Sequence, residues 1–345
     1  SLHDEVSPHS LLALCARSRL TTTTQEEVVK LAAGVRDWTR VLACAEIHGV
    51  APLLYHHLKL TNFDPPAPVP RQLQSLYVRH RRANEVRLRV LAEVLAALGD
   101  RDIRPRVLKG PLLIDRVYSD PGLRPMGDLD LLVPVEQAIP AQLLLGDMGF
   151  SVRVPHTEHR LLRHHHLSPA VKWIDGVHVV IEIHHNAFSP FVGASLQVQA
   201  EAEDGMAFNV NGRRASSFAE EEFLWHLCRH SVSIRHQFRM IWAADIVGFA
   251  ETFLSTIDWK QVQQRYPFVL STLSVLHCLA PVPEPVLAAS GVTVSRIPRD
   301  VGKGYRGWPW ERARGWDSLG GRGRFLRRTV SPPEWWLRFS YGTGT

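Results

Sequence analysis

Two carboxylates one residue apart, Asp128 and Asp130, open the apolar run Leu131-Leu132-Val133. On a strand, side chains at i and i+2 point to one face, so these two acids stand side by side. Ionised carboxylates that close repel unless a cation neutralises them. Hard oxygen donors in such a pair suit Mg²⁺ or Mn²⁺. An isolated Asp-x-Asp reads more simply as a turn residue followed by a solvent-facing strand residue. Three neighbouring features weigh against that simpler reading. Upstream, "RPRVLKG" is a short strand closing on Lys109-Gly110, and Pro111 is well placed as the first residue of a helix. Free backbone N–H groups at a helix start, with a lysine beside them, form a phosphate cradle. Arg124, just before the pair, can hold a phosphate or ion-pair within the cluster. Downstream, Glu182 lies in "VHVVIEIHH" among Val180, Ile181 and Ile183, where an acid needs a partner or a metal.

The elements that must position these residues follow from periodicity. Residues 1–100 read as a helical region: "SLLALCARSRL" and "WTRVLACAEIHGVAPLLYHHL" carry apolar residues at helical spacing, and Thr24 stands as an N-cap before an acidic turn. "NFDPPAPVP" is a linker, followed by a long helix over 72–98 with Leu88, Leu91, Leu95 and Leu98 as its apolar stripe. The arginines of its first half read as a solvated face. Residues 101–215 form a mixed α/β core. After the Lys-Gly turn come the helix "PLLIDRVY", the strand "LDLLVPV", the helix "AIPAQLLLGDMGF" and three strands, "SVRVP", "HHHLSPAVKWI" and "VHVVIEIHH". Residues 216–290 are helical again, and 291–345 form a basic tail rich in Gly and Trp.

Composition sets bounds. The chain has 345 residues, 45% hydrophobic and 21% charged, with a formal net charge of +6. That is ordinary for a folded protein and mildly basic, which suits an anionic substrate. The four cysteines form no C-x-x-C pair, so a disulfide framework and a thiolate zinc site are disfavoured and a reducing cytoplasm is expected. The most apolar window, Phe268 to Pro283, is too short for a membrane span and reads as a buried helix. No signal peptide and no membrane partner are expected.

A Gly turn opening a helix, then Asp-x-Asp, then a later lone acid on a strand resembles the DNA polymerase β-like nucleotidyltransferase superfamily. More narrowly, "LKGPLLIDRVYSDPGLRPMGDLDLLV" resembles the family of uncharacterised nucleotidyltransferases, and the likeness continues through "IEIHH", "EEFLWHLCRHSV", "WAADIV" and "IDWKQV". The resemblance implies a polymerase β-like core with mixed sheet, flanked by helical domains. It implies transfer of a nucleoside monophosphate from an NTP, ATP among them, to a hydroxyl or similar nucleophile, with release of pyrophosphate. Asp128 and Asp130 would bridge two Mg²⁺ ions, with Mn²⁺ as a substitute. Glu182 would complete the site and help take the acceptor's proton. Lys109, Gly110 and Arg124 would handle phosphates. The sequence departs from the superfamily pattern twice: Lys109-Gly110-Pro111 offers no hydroxyl, and the third acid is Glu where Asp is commoner.

The histidines cluster, with His156, His159, His164, His165, His166, His184 and His185 in one region. His164 and His166 would share a strand face, and His184 lies two residues past Glu182 on its face, where it could orient the acid or touch the nucleotide. His226 and His230 are one helical turn apart, and Asp245 sits in "IWAADIV" as a buried cap or ion pair, with Arg239 the nearest candidate partner. Two rival readings follow: a degenerate module that binds nucleotide, or RNA through the basic tail, and a histidine-site metallohydrolase. The motifs leave the acceptor open between a small molecule, a peptide or protein, and tRNA.

Overall fold

The computed structural model describes residues 8–153, 164–188, 196, 205–231, 238–279 and 281–292. The N-terminal region is five helices: α1 (Pro8–Cys15), α2 (Thr22–Ala33), α3 (Trp38–Ile47), α4 (Ala51–Leu60) and α5 (Val69–Gly99). The cap of α2 is Thr21, three residues before the expected Thr24, because the Thr24 N–H donates to Thr21 Oγ1 at 3.2 Å. α5 is the expected long helix. Leu91, Leu95 and Leu98 are buried, and the arginine face makes exposed ion pairs, Arg79–Glu46 and Arg89–Asp175 among them.

The core then alternates: β1 (Arg106–Val107), α6 (Gly110–Arg116), a 3₁₀ turn (Pro121–Leu123), β2 (Leu129–Leu132), α7 (Val135–Asp147), β3 (Ala170–Ile174), β4 (Val177–His184), β5 (Ala207–Val210) and β6 (Arg213–Ser216). These strands make one six-stranded mixed sheet in the order β3-β4-β2-β1-β6-β5. β2 and β4 run parallel, as do β1 and β6, and the other neighbours are antiparallel. Two Xaa-Gly turns close the hairpins. Asp175 (φ 49°) and Gly176 (φ 76°) join β3 to β4, and Asn211 (φ 48°) and Gly212 (φ 85°) join β5 to β6. Positive φ at both central residues gives a twist that matches the strands.

The three strands expected between 151 and 185 reduce to two. Ser151 makes only a single bridge to Val171, Val152 and Arg153 are in no strand, and Val154 and Pro155 lie with His156 and His159 outside the described residues. Residues 164–166 are not a strand, and His166 makes one isolated bridge to His184. The β5–β6 hairpin is an element that apolar periodicity did not indicate.

Five helices follow: α8 (Glu220–Ser231), α9 (Met240–Thr252), α10 (Trp259–Arg265), α11 (Phe268–Leu279) and α12 (Glu284–Ser290). α9 is buried almost all round, from Met240 to Ala250 apart from the half-buried Trp242. A helix apolar on every side belongs inside a core, so its one acid, Asp245, must find a partner. α11 is the buried helix expected at 268–283, with Val269, Leu273 and Leu276 inside. No helix among the described residues is long and apolar enough to cross a membrane. The basic tail lies outside them, apart from its first two residues.

Candidate active site

The site is built by the parallel pairing of β2 with β4. The register sets Asp130 beside Glu182 and Leu132 beside His184. Leu129, Leu131, Ile181 and Ile183 point the other way and are fully buried. Alternation therefore puts Asp130, Glu182 and His184 on one face while their neighbours anchor the strands in the core. A one-residue slip would send all three into that core.

Asp130 is the hub and is only 3% exposed. Its Oδ2 takes the Lys109 ammonium at 2.7 Å, and its Oδ1 takes His184 Nε2 at 3.0 Å. The same His184 nitrogen lies 3.4 Å from Glu182 Oε2. Burial works against the charge on Asp130, yet Lys109 and His184 hold its pKa well below the carboxylate range. Burial likewise opposes charge on His184, but the hydrogen bonds it donates to Asp130 and Glu182 raise its pKa. Glu182 is half-buried; burial opposes its charge, but the hydrogen bond to His184 together with the charges of His166 and His184 brings its pKa down. Asp128 is exposed at the entrance, and the negative charge of Asp130 pushes it up.

Lys109 closes β1 and caps α6 with φ 54° and ψ −111°, a backbone a lysine rarely adopts. Gly110 follows because nothing larger fits: a Cβ there would lie 2.5 Å from Met126 Sδ and 2.9 Å from Arg124 Nη1. The segment from Pro121 to Asp128 is fixed from behind. Asn84 of α5 donates to the Pro121 and Arg124 carbonyls at 2.6 and 2.8 Å. The Arg124 guanidinium turns inward to Asp245 of α9, with Nε–Oδ1 at 3.1 Å and Nη2–Oδ2 at 2.8 Å. The Tyr118 hydroxyl donates to the same Asp245 at 2.7 Å.

Of the expected site residues, the structure thus brings together Lys109, Asp130, Glu182 and His184, with Asp128 two residues from the hub. Arg124, expected on a phosphate or in an ion pair, is in an ion pair. Its partner Asp245 is the acid for which Arg239 was expected, and Arg239 instead is exposed and donates to the Ile47 carbonyl. Tyr118 is a contributor the sequence reading missed. A tyrosine preceding a turn signals nothing of a bond to a helix more than a hundred residues away.

Among the described residues, the grouping of donors able to hold a metal is Asp130, Glu182 and His184, whose ligand atoms lie within 4.8 Å of one another. Two carboxylates and an imidazole fit a divalent ion. Asp128 is not within that grouping. His164 is exposed and His166 half-buried, its ring 5.1 Å from that of His184; neither joins the donor group. His226 of α8 lies buried against Phe188 and Phe218, and burial, then the nearby Lys109 charge, push it down to about 3.

A family described as "uncharacterised nucleotidyltransferase" matches residues 35–278, about seven-tenths of the chain. The chain belongs to this family. The match takes in the whole strand pair, the Lys-Gly turn and α9 with Asp245. Among curated proteins none matches. The nucleotidyltransferase family member is also similar to a solved structure, the solution structure of the antibiotic-resistance factor ANT(2″)-Ia. That similarity has 16% identity over 54% of this chain and 92% of the other, with a TM-score of 0.33. An overlap that loose carries no argument.

Proposed function

We propose that this protein transfers a nucleoside monophosphate from an NTP to a hydroxyl or similar nucleophile and releases pyrophosphate. The observation that carries the reading is the in-register pairing of Asp130 with Glu182 on parallel strands, at the mouth of the Lys109-Gly110 turn. Phosphoryl-transfer catalysis is chiefly positioning and neutralisation of charge. A row of carboxylates running from the exposed Asp128 through the half-buried Glu182 to the buried Asp130, beside a lysine, is suited to both tasks.

Asp128, Asp130 and Glu182 would hold Mg²⁺ or Mn²⁺, and the structure adds His184 as a further donor. Bound there, divalent ions would supply a lowered pKa for the acceptor hydroxyl and positive charge against the triphosphate. The remaining work falls to the chain. Asp128, exposed at the entrance, is placed to meet the incoming nucleotide. Lys109 and Gly110 receive phosphate oxygens. Glu182, held ionised and partly open, accepts the proton of the attacking hydroxyl at Oε2. The acceptor oxygen forms the new bond to the α-phosphorus as the bond to the bridging oxygen of pyrophosphate breaks. Arg124 serves by holding the segment that carries Asp128. The four cysteines are thiols, which accords with a cytoplasmic setting.

The test is divalent-dependent pyrophosphate release from each NTP, with the protein alone and with cell extract, beside an Asp128→Ala/Asp130→Ala double variant. Release that needs the metal and is lost in the variant is expected. Tight NTP binding without release under every acceptor condition would favour the degenerate binding module.

A further inference from the structure

We propose that Lys109 is a resident counter-cation for Asp130, which divalent metal displaces and whose ammonium then moves to the phosphates of the nucleotide. The inference rests on the nucleotidyl-transfer reading and assigns one residue two alternating partners.

Three observations support it. Both oxygens of Asp130 are already occupied, Oδ2 by Lys109 Nζ at 2.7 Å and Oδ1 by His184 Nε2 at 3.0 Å. Asp130 is also the shared member of the donor group with Glu182 and His184. A divalent ion on that carboxylate would therefore sit within a few ångströms of the ammonium, and like charges so close in a poorly solvated site repel strongly. One of the two cations must leave. The asymmetry of exposure says which group can move. The Asp130 side chain is 3% exposed and fixed on a central strand, whereas Lys109 is 16% exposed and sits at the end of a long stem. The backbone at φ 54° and ψ −111° gives the third support, because residues are held in such sparsely populated conformations mainly at ligand clamps and switch sites. The bend brings a lysine to the acid from the adjacent antiparallel strand, at the turn where the phosphates are placed by the proposed function.

Charge balance gives the exchange its direction. Without metal, Lys109 is the fixed positive charge among Asp128, Asp130 and Glu182, all of which act on it electrostatically. With metal bound that need disappears, and a freed ammonium is drawn to the triphosphate. The nucleotide would then bind better when metal is present, beyond the metal's own contacts, through a thermodynamic coupling that acts in both directions.

The experiment uses the full chain and Mn²⁺ without nucleotide, with free Mn²⁺ followed by its paramagnetic resonance signal. Lys109→Met keeps the length and removes the charge, and Asp130→Asn removes the metal ligand. Lys109→Met is expected to bind Mn²⁺ at least about tenfold more tightly than the unaltered protein. With Mn²⁺ present it should bind a non-hydrolysable NTP analogue more weakly. Should the variant fail to fold, the unaltered protein supplies the second measurement: acylation of Lys109 by a soluble acetylating reagent, read by peptide mass spectrometry. Mn²⁺ should raise that labelling several-fold, and added NTP analogue should lower it again. Equal or weaker Mn²⁺ binding by Lys109→Met, or labelling that Mn²⁺ leaves unchanged or lowers, overturns the exchange. A different pattern would count against the metal-dependent reading itself: Mn²⁺ binding by Asp130→Asn equal to that of the unaltered protein.

Discussion

Removing the Asp245 carboxylate should be one of the most damaging single changes in the molecule. Its side chain is 2% exposed and Arg124 is 10% exposed, with two hydrogen bonds between them at 2.8 and 3.1 Å. Asp245→Ala leaves a guanidinium without its counter-charge, buried between α9 and the segment that follows the 3₁₀ turn. Breaking a buried pair by deleting one partner costs about 3–5 kcal/mol. The Tyr118 hydroxyl also loses its acceptor, worth roughly 1–3 kcal/mol when the donor stays buried. These losses overlap, so about 4 kcal/mol is the expected total, read from urea unfolding of the single variant. The double variant Arg124→Leu/Asp245→Leu removes both charges and fills the space with apolar atoms. It should be more stable than the sum of the single changes by at least about 2 kcal/mol. A loss below about 1 kcal/mol for Asp245→Ala, or strict additivity in the cycle, would refute the claim that this pair pins the segment carrying Asp128.

Two further outcomes are expected. His48 and His57 are pushed down to about 4 and His226 to about 3 from an ordinary 6.5, in each case first by burial. The unfolded chain therefore binds protons the folded one refuses, so stability is complete above about pH 6.5 and drains away as pH falls towards 4. His48 and His57 each contribute at most about 3 kcal/mol and His226 at most about 5 kcal/mol, and His57→Gln, at the ring that meets the Arg17 carbonyl at 2.9 Å, should flatten the acid limb of a stability–pH profile. Gly110→Ala should lower stability by about 1–3 kcal/mol through overpacking against Met126 and Arg124. It should strengthen Mn²⁺ binding as Lys109 is displaced from Asp130, and thermal unfolding and a metal titration would show the two effects. An unchanged protein would mean the turn is looser than the structure has it.

The sequence made some of this site legible and hid the rest for physical reasons. Asp128 and Asp130 could be read because strand alternation is local, and Glu182 because an acid among Val and Ile has no other business there. The pairing of Asp130 with Glu182 could not be read, because the register of parallel strands is set by a crossover of some fifty residues. For the same reason His184 could be placed near the site while its bond to Asp130 could not. Arg124 and Asp245, 121 residues apart, each announced a need for a partner but not which one. The Asn211-Gly212 turn is a strong hairpin signal by its residue types, yet its strands are four residues each, too short for periodicity to stand out. The helical segments were legible throughout, since apolar spacing over three or more turns is the most robust pattern a sequence carries.

The most direct test of the central claim is where the label goes. NTP carrying radioactive phosphorus at the α position, or in a parallel reaction at the γ position, would be incubated with the protein, divalent metal and fractionated cell extract. The account expects α-label to appear on an acceptor and γ-label to leave as pyrophosphate, with both lost in Asp130→Ala. Label carried to the acceptor from the γ position alone would contradict it, because the carboxylates would then be serving phosphoryl rather than nucleotidyl transfer.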